Sequence, residues 1–250
     1  DEESLESTSI HSVAGLLSPG SGLLSARPFR APHHTISDVA LVGGGKLPRP
    51  GELSLAHNGV LFLDEMPEFD RRALEVLRQP LEEGRIRIAR AARSAEFPSR
   101  VLFVGAMNPC KCGYAGHPVR VCRCTPLQRE CYTGRISGPL LDRIDLCVDV
   151  PWVPPDVLGD EGPQEPSALI RERVLRAREQ QASRSGETGV QLNALLKGRM
   201  LRRFARLDAD GRALLDAAVR RLALSGRAHD RILRVARTIA DLAGATDVRP

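Results

Sequence analysis

Apolar runs alternate along the chain with segments in which apolar residues recur at helical spacing. Val60–Leu63 and Val101–Met107 are continuous apolar runs, as expected for parallel strands that are covered on both faces. A third run, Leu146–Val150, ends at Pro151 and predicts another strand of the same kind. Together these runs predict the sheet of an α/β domain.

Between the first two runs the pattern predicts a helix and then a hairpin. An amphipathic helix is predicted over Glu68–Glu83 by four apolar residues at helical spacing, namely Phe69, Ala73, Leu77 and Leu81. Strict alternation then places Ile86 and Ile88 on one face, opposite two arginines. This alternation predicts a β-hairpin centred near Arg90–Ser94.

The last third of the chain has the pattern of helices. Residues 151–166 are rich in proline and glycine and predict a linker. A helix with a serine cap is predicted over Ser167–Ser185, and one with an aspartate cap over Asp208–Leu224. Ser225 precedes a long helix that is expected to end near Gly244.

Composition divides the chain at the same place. The pattern predicts an α/β unit over residues 1–155, a linker over 156–166 and an α-helical unit over 167–250. Residues 166–250 carry 18 lysines and arginines against 9 carboxylates, whereas residues 1–165 carry 18 against 22. The basic segment favours an anionic partner, although a solvated, arginine-rich helical surface explains the same charge.

The bulk composition indicates a soluble protein. Of the 250 residues, 42% are hydrophobic and 27% are charged, and no apolar run approaches the roughly 18 residues that cross a bilayer. The first residues, DEESLESTSI, lack the basic and then apolar pattern of a secretory signal. A cytoplasmic protein without a membrane partner is therefore expected.

Two carboxylates follow the first apolar run in VLFLDE. The carboxyl ends of parallel strands are where open α/β sheets bind ligands. In phosphoryl transfer, Asp64 would help to hold Mg²⁺ through its water shell, and Glu65 would orient or deprotonate the attacking water. A strand that simply ends in surface acids is the alternative.

Three more polar residues fit a nucleotide site. Asn108 follows the second strand and could bind a γ-phosphate or the water, although an Asn before Pro is often only a turn residue. Arg143, in LLDRIDL, could act as an arginine finger, or pair with a neighbouring aspartate. Arg227 falls in the first turn of a predicted helix, where a phosphate would offset its unfavourable interaction with the helix dipole.

Four of the six cysteines form two C-x-C pairs. They are Cys110, Cys112, Cys122 and Cys124. Four thiolates suit a closed tetrahedral Zn²⁺ site, with incidental thiols as the alternative. His117 is a further candidate ligand, and Cys147 is expected in the core.

A phosphate-binding loop is missing from the sequence. The nearest approach to G-x-x-x-x-G-K-[ST] is LVGGGKLP, in which Lys46 has no Ser or Thr after it. The loop is therefore expected upstream of Asp1, which would make this chain an internal fragment.

Five motifs closely resemble the ComM/YifB family of bacterial Mg-chelatase-like AAA+ ATPases. In the family's order they are RPFRAPHHTIS, LVGGGKLPRPGELSLAHNGVLFLDEMPEF, GAMNPCKCGY, ISGPLLDRIDL and RILRVARTIADL. The resemblance covers nearly all of residues 5–250. It implies an AAA+ P-loop core, truncated at its amino terminus, and a small all-α lid domain. The family's Walker A loop and Lon-protease-like amino-terminal domain have no counterpart here.

The resemblance also implies roles for individual residues. Asp64 and Glu65 match the Walker B pair, Asn108 the sensor-one asparagine, Arg143 the trans arginine finger, and Arg227 the sensor-two arginine. The implied assembly is a homo-hexameric ring with ATP and Mg²⁺ between subunits. Family members are described as DNA helicases that drive branch migration in transformation and recombination.

This class of AAA+ proteins carries two inserts that face the pore of the ring. They correspond here to roughly His33–Pro50 and Arg85–Pro98. Lys46, Arg90 and Arg93 are then candidates for contacts with a DNA backbone, which requires cations but no base-reading geometry. Two alternative functions stay open at this point: a motor subunit that inserts Mg²⁺ into a porphyrin, and a non-catalytic zinc-bearing interaction module.

Overall fold

A computed structural model describes residues 2–45, 47–89, 94–154, 157, 165–186 and 192–249. The chain forms two compact units, Asp1–Ile144 and Asp145–Pro250. Every helix in the described ranges is too short or too polar to span a bilayer.

The first unit combines short strands and short helices. Its described strands are β1 (Phe29–Arg30), β2 (Gly43–Gly44), β3 (Arg49–Pro50), β4 (Val60–Leu63), β5 (Arg85–Ala89), β6 (Ser94–Pro98) and β7 (Leu102–Gly105). Its described helices are α1 (Glu2–Val13), α2 (Asp38–Val42), α3 (Glu52–Leu55), α4 (Arg71–Glu75), α5 (Arg78–Glu83), α6 (Pro126–Thr133) and α7 (Gly138–Leu141), with a 3₁₀ turn at Met66–Glu68.

A parallel sheet of order β1–β4–β7 forms the centre of this unit. Val60 pairs with Phe29 on one side and with Leu102 on the other, and Leu63 pairs with Gly105. The two predicted central strands are therefore confirmed, the second with bounds one residue shorter at its start and two at its end. All three strands run in the same direction, so their carboxyl ends lie along one edge.

The core packs around β4 and draws on helices before and after it in the chain. Its buried apolar side chains are Leu41, Leu53, Ala56, Leu61, Leu63, Met66, Phe69, Ala73, Leu74, Leu77, Ile86, Ile88, Ile136 and Leu140. The alternating strand pattern of β5 is confirmed, since Ile86 and Ile88 are both buried.

The single helix predicted over Glu68–Glu83 is wrong. The structure has two helices, α4 and α5, which are interrupted at Val76–Leu77. Pro80 explains the break: it cannot donate a hydrogen bond to the carbonyl of Val76, and its ring would crowd that carbonyl in a continuous helix.

The predicted hairpin is confirmed. β5 and β6 are antiparallel, with Arg85 opposite Pro98 and Ala89 opposite Ser94. The arginines of β5 form ion pairs across the strands, and Arg87 Nε lies 2.8 Å from an oxygen of Glu96.

The strand predicted over Leu146–Val150 is wrong, and so is the prediction that β7 is covered on both faces. Leu146 is 66% exposed and Val150 is 85% exposed. An extended apolar segment becomes a strand only when a neighbour accepts its backbone hydrogen bonds, and no described strand pairs with this one. One face of β7 is uncovered, since Leu102 is 64% exposed and Val104, on the same face, is 37% exposed. Cys147 is also exposed and does not belong to the core.

The second unit consists of helices in the part that the structure describes. They are α8 (Ser167–Ser185), α9 (Gly198–Phe204), α10 (Ala209–Leu222) and α11 (Gly226–Leu242), with a 3₁₀ turn at Asn193–Leu195. The predicted caps are confirmed for α10, where Asp208 accepts from Gly211 N, and for α11, where Ser225 accepts from Ala228 N. The predicted serine cap of α8 is wrong, because Pro166 holds the cap position.

A buried ionic network joins the helices of this unit. Asp241 on α11 accepts hydrogen bonds from Arg184 on α8, from Asn193 Nδ2 at 2.7 Å and from Arg237 Nε at 3.0 Å. Arg237 is 2% exposed and also donates to the carbonyl of Thr246. Burial alone would raise the pKa of Asp241, but these hydrogen bonds and the two guanidinium charges lower it overall.

Candidate functional site

The predicted site residues Asp64, Glu65 and Asn108 follow neighbouring strands at the same edge of the sheet. Asp64 comes directly after β4, and Asn108 lies three residues beyond β7. Because Leu63 pairs with Gly105 in parallel register, the carboxyl ends of β4 and β7 lie side by side. All three side chains are exposed. This edge of the sheet therefore presents two carboxylates and an amide to solvent.

Glu65 has a left-handed backbone conformation, with φ 49° and ψ 42°. Such a conformation costs on the order of 1–3 kcal/mol for a residue with a side chain and persists only where neighbours enforce it. Here Ala106 N donates to Leu63 O and Met66 N donates to Ala106 O, both at 2.9 Å. The turn is thus pinned to β7 on both sides of Glu65.

Close packing explains the glycine beside this turn. A Cβ built on Gly105 would lie 2.7 Å from Met66 Sδ, which is closer than real Cβ atoms approach. A side chain at this position would push Met66, and with it the turn that carries Glu65.

The carboxylate of Asp64 fits a magnesium site. Its Oδ1 accepts from Glu65 N at 2.8 Å, which fixes the side chain and leaves the second oxygen available. Exposed carboxylate oxygens are the donors that Mg²⁺ uses, often through water molecules. The residues present therefore fit a bound Mg²⁺.

His34 is a site residue that the sequence did not identify. Its Nδ1 lies 3.4 Å from Oε2 of Glu65, and its ring packs on His33 and edge-on against Phe69. β1 is parallel to β4, so the chain that leaves β1 reaches the same edge of the sheet. The sequence offers two signals, the family motif RPFRAPHHTIS and the polar pair His33–His34 after a two-residue strand, but neither assigns a role to His34.

The backbone of Asn108 lies near the phenol of Tyr132 on α6, and Tyr132 is 6% exposed. Burial, followed by the negative charge of Glu68, raises the pKa of Tyr132, and the nearby backbone of Asn108 opposes the rise. The Asn108 side chain remains exposed.

Arg143 lies in the same unit but is paired within its own chain. Its guanidinium donates to Pro139 O at 2.6 Å and to the carboxylate of Glu82, and the side chain is only 13% exposed. It lines an open cavity of about 490 Å³ together with residues of α5 and β5. Contact with a second subunit therefore requires the pair with Glu82 to reorient.

The remaining cationic candidates are Arg227, Lys46, Arg90 and Arg93. Arg227 is exposed in the first turn of α11, in the second unit. Lys46, Arg90 and Arg93 lie outside the described residues.

The structure brings the four cysteines Cys110, Cys112, Cys122 and Cys124 together; we call them the four-cysteine cluster. Their sulfur atoms all lie within 4.8 Å of one another, so the cluster could hold a metal ion. His117 does not belong to this group of ligand atoms, and its Nδ1 accepts from the backbone N–H groups of Val119 and Arg120.

The thiols of the four-cysteine cluster differ in pKa, since that of Cys112 is lowered and that of Cys124 is raised. Backbone N–H groups of Tyr114 and Arg123 lower the pKa of Cys112 to about 6. The backbone N–H of Cys112 also favours the thiolate of Cys124. Burial and the hydrogen bonds with the thiols of Cys112 and Cys110 outweigh that effect and raise the pKa of Cys124 to about 11.

Family models match almost the whole chain. The model for the magnesium chelatase subunit ChlI matches residues 1–158, and the model for the ChlI carboxy-terminal region matches residues 164–250.

Individual relatives agree with this match. The chain is 46% identical to the uncharacterized protein YifB of Escherichia coli over 97% of its own length and 47% of that protein. It is 50% identical to the competence protein ComM of Haemophilus influenzae, over 89% of the chain and 43% of that protein. Identity to the chloroplastic magnesium-chelatase subunit ChlI-2 of Arabidopsis thaliana is 28%, over 76% of the chain and 44% of that protein. The chain thus spans about half the length of these relatives.

Proposed function

The chain belongs to the Mg-chelatase-like AAA+ family that includes ComM and YifB, and from this premise we propose that it is part of an ATP-driven motor that acts on DNA. The observation that carries the proposal is the pair Asp64–Glu65 at the carboxyl end of β4, beside Asn108. Motors of this class couple ATP hydrolysis to movement, so the two carboxylates are the chemical centre of the account.

Each residue at the edge of the sheet has a distinct part in hydrolysis. Mg²⁺, held through Asp64, would neutralise negative charge on the transferred phosphoryl group. Glu65 orients a water molecule and accepts its proton, and its backbone conformation is fixed by the bonds to β7. Asn108 hydrogen-bonds the γ-phosphate or the same water.

Two arginines complete the site in the proposed homo-hexamer. Arg143 stabilises the developing charge on the nucleotide of a neighbouring subunit, exchanging Glu82 for phosphate. Arg227, at the start of α11, contacts the phosphates of the nucleotide.

The similarity to these relatives supports nucleic acid as the substrate. The relatives with 46–50% identity include a protein named for competence. We therefore propose a role in transformation and recombination, with branch migration as the mechanical step. Lys46, Arg90 and Arg93 would contact the DNA backbone, and the basic segment 166–250 would add to the attraction.

A chelatase motor is the second candidate. It is favoured by the family model and by the relative named magnesium-chelatase subunit ChlI-2. Identity to that relative is 28%, compared with 46–50% for YifB and ComM, so the DNA motor has the better support.

One pair of assays separates the candidates. The intact gene product is incubated with ATP and a fluorescent four-way DNA junction, and separately with a porphyrin, Mg²⁺ and the other chelatase subunits. ATP-dependent dissociation of the junction into duplexes supports the DNA motor. Arg90→Ala/Arg93→Ala should weaken this dissociation and give a shallower salt dependence of DNA binding. Magnesium insertion without junction dissociation would contradict the DNA motor.

A further inference from the structure

The four-cysteine cluster has the dimensions of a site for one metal ion. Sγ of Cys110 lies 3.4 Å from Sγ of Cys112 in the same C-x-C pair. Sγ of Cys122, in the second pair, lies 3.6 Å from each of these two sulfur atoms. Disulfide bonds are much shorter, about 2.05 Å between sulfurs, and all four cysteines are free. The thiols therefore converge without being bonded to one another.

These separations identify the kind of metal centre. A tetrahedral ion with metal–sulfur bonds of about 2.3 Å keeps its ligands about 3.8 Å apart. An iron–sulfur cluster inserts several irons and sulfides between its cysteines and requires them further apart. Four thiolates around a single tetrahedral ion are the ligand set that Zn²⁺ prefers.

The loop is shaped around the sulfurs. Gly113 and Gly116 have φ of +80° and +78°, which turns the backbone back towards the cluster. Backbone N–H groups of Ala115, Tyr114 and Arg123 point at Cys110 or Cys112, an outer shell of donors like those that stabilise thiolates bound to a metal.

Apolar packing does not hold this loop in place. Of residues 110–125, Cys110 alone is buried, while Val119 and Val121 are 74% and 86% exposed. A loop with so little core needs another source of stability, and metal binding is the usual one in small cysteine-rich segments.

The two ends of the loop connect to the candidate site. Its first cysteine follows Asn108 by two residues. Its last cysteine precedes Thr125, which caps α6 in a reciprocal pair with Gln128. α6 then carries Tyr132, whose phenol lies near the backbone of Asn108. The loop and α6 thus connect the four-cysteine cluster to Asn108 at both ends.

We propose that the four-cysteine cluster binds one Zn²⁺ and that this ion, together with Tyr132, fixes the position of Asn108. The ion is structural, because four protein ligands leave no open coordination position, and each thiol loses its proton to solvent on binding. Asn108, Tyr132 and the cluster act as one positioning unit. Its effect on nucleotide rests on the proposed ATPase function, whereas the metal site does not.

Metal analysis of the intact gene product tests the site. We expect one zinc per chain, loss of zinc in Cys112→Ser/Cys122→Ser, and full retention in Cys147→Ser, which alters an exposed cysteine outside the cluster. Co²⁺ in place of zinc should give the visible absorption of a tetrahedral thiolate centre. Less than a tenth of an equivalent of zinc in the folded wild type, iron as the bound metal, or equal zinc in all variants would each overturn the proposal.

Nucleotide binding tests the positioning of Asn108. We expect the affinity for ATP to fall relative to the affinity for ADP in metal-free protein, in Tyr132→Phe and in Asn108→Ala. The expected loss is about tenfold for Asn108→Ala and smaller for Tyr132→Phe. Combining Asn108→Ala with either of the other two changes should produce no further loss, as for groups that act through one another. Additive losses, or an unchanged ATP preference in Tyr132→Phe, which leaves the cluster intact, would overturn the positioning role. Wild-type protein that binds zinc but no ATP would instead contradict the proposed function.

Discussion

Nδ1 of His34 lies 3.4 Å from Oε2 of Glu65, although the two residues leave different strands. The contact exists because β1 and β4 are parallel neighbours, so the carboxyl ends of both strands lie at the same edge of the sheet. His34 thereby restrains the carboxylate that we assign to water activation.

Replacing His34 should reduce ATP hydrolysis by the intact protein. A misplaced catalytic group commonly costs one to two orders of magnitude, so we expect kcat to fall about tenfold in His34→Phe with little change in KM. Phenylalanine retains the packing against Phe69 and removes only the polar contact. His33→Phe is the matched control, since it keeps a ring beside His34 and His33 itself bonds Thr35 instead of Glu65. Normal kcat in His34→Phe would rule out the restraint.

Mixed assemblies test whether Arg143 acts on a neighbouring subunit. Glu65→Gln and Arg143→Ala should each be nearly inactive alone, with Arg143→Ala lowering kcat by about 10³-fold. Co-expression of the two variants should restore about a quarter of the wild-type rate, because a random ring pairs intact Glu65 with intact Arg143 at that frequency. A co-expressed mixture as inactive as its parents would contradict a role in trans.

The ionic network of the helical unit should dominate that unit's stability. Asp241→Asn leaves Arg237 and Arg184 without a charged partner in a buried setting, and we expect a loss of about 3–5 kcal/mol. Hydrogen exchange of the α11 amides measures it, with the exposed Asp216→Asn as control. An equal effect of both substitutions would show that the network contributes little.

His57 should make the first unit sensitive to mild acid. It is fully buried, with Nε2 3.0 Å from Glu6 and Nδ1 accepting from Arg100 N at 2.9 Å. Burial lowers the pKa of His57 below its usual 6.5, against the opposing hydrogen bond and charge of Glu6 and in the same direction as the charge of Arg100.

The sign of the effect follows from proton linkage. Below pH 6.5, His57 binds a proton in the unfolded chain but remains neutral in the folded chain. The contribution of His57 to the free energy of unfolding is therefore fully present above pH 6.5 and declines as the pH falls towards the folded pKa. The hydrogen bond from Asn58 and the further bonds and charges around it lower the pKa of Glu6, whose contribution is lost only below pH 4.5. Denaturation of His57→Gln, which keeps a donor and an acceptor, should depend less on pH between 6.5 and 4.5. An identical slope in the variant and the wild type would contradict this account.

Local patterns in the sequence predicted what depends on local physics. The apolar run before Asp64 specifies β4, alternation around Ile86 specifies the hairpin, and Asp208 and Ser225 specify helix starts. Because the two central strands are parallel, the sequence also predicted that Asn108 would lie beside the acids. The C-x-C spacing anticipated the cluster, which closes within one short loop.

Contacts between distant segments were beyond the reach of these patterns. β1 has two residues and is defined by its pairing with β4, so His34 could not be placed. Arg237 looked like one arginine among many, and its burial depends on a partner that Arg184 and Asn193 help to fix. Leu146–Val150 has the composition of a strand, but composition does not supply the neighbour that a strand needs.

ATP hydrolysis by Glu65→Gln tests whether this carboxylate activates the attacking water. The intact protein should hydrolyse ATP, and Glu65→Gln should bind ATP as tightly as the wild type while its kcat falls by at least about 100-fold. Glu179→Gln, an exposed substitution on α8, should match the wild type. Unimpaired hydrolysis in Glu65→Gln would contradict the assignment of this carboxylate and the motor function built upon it.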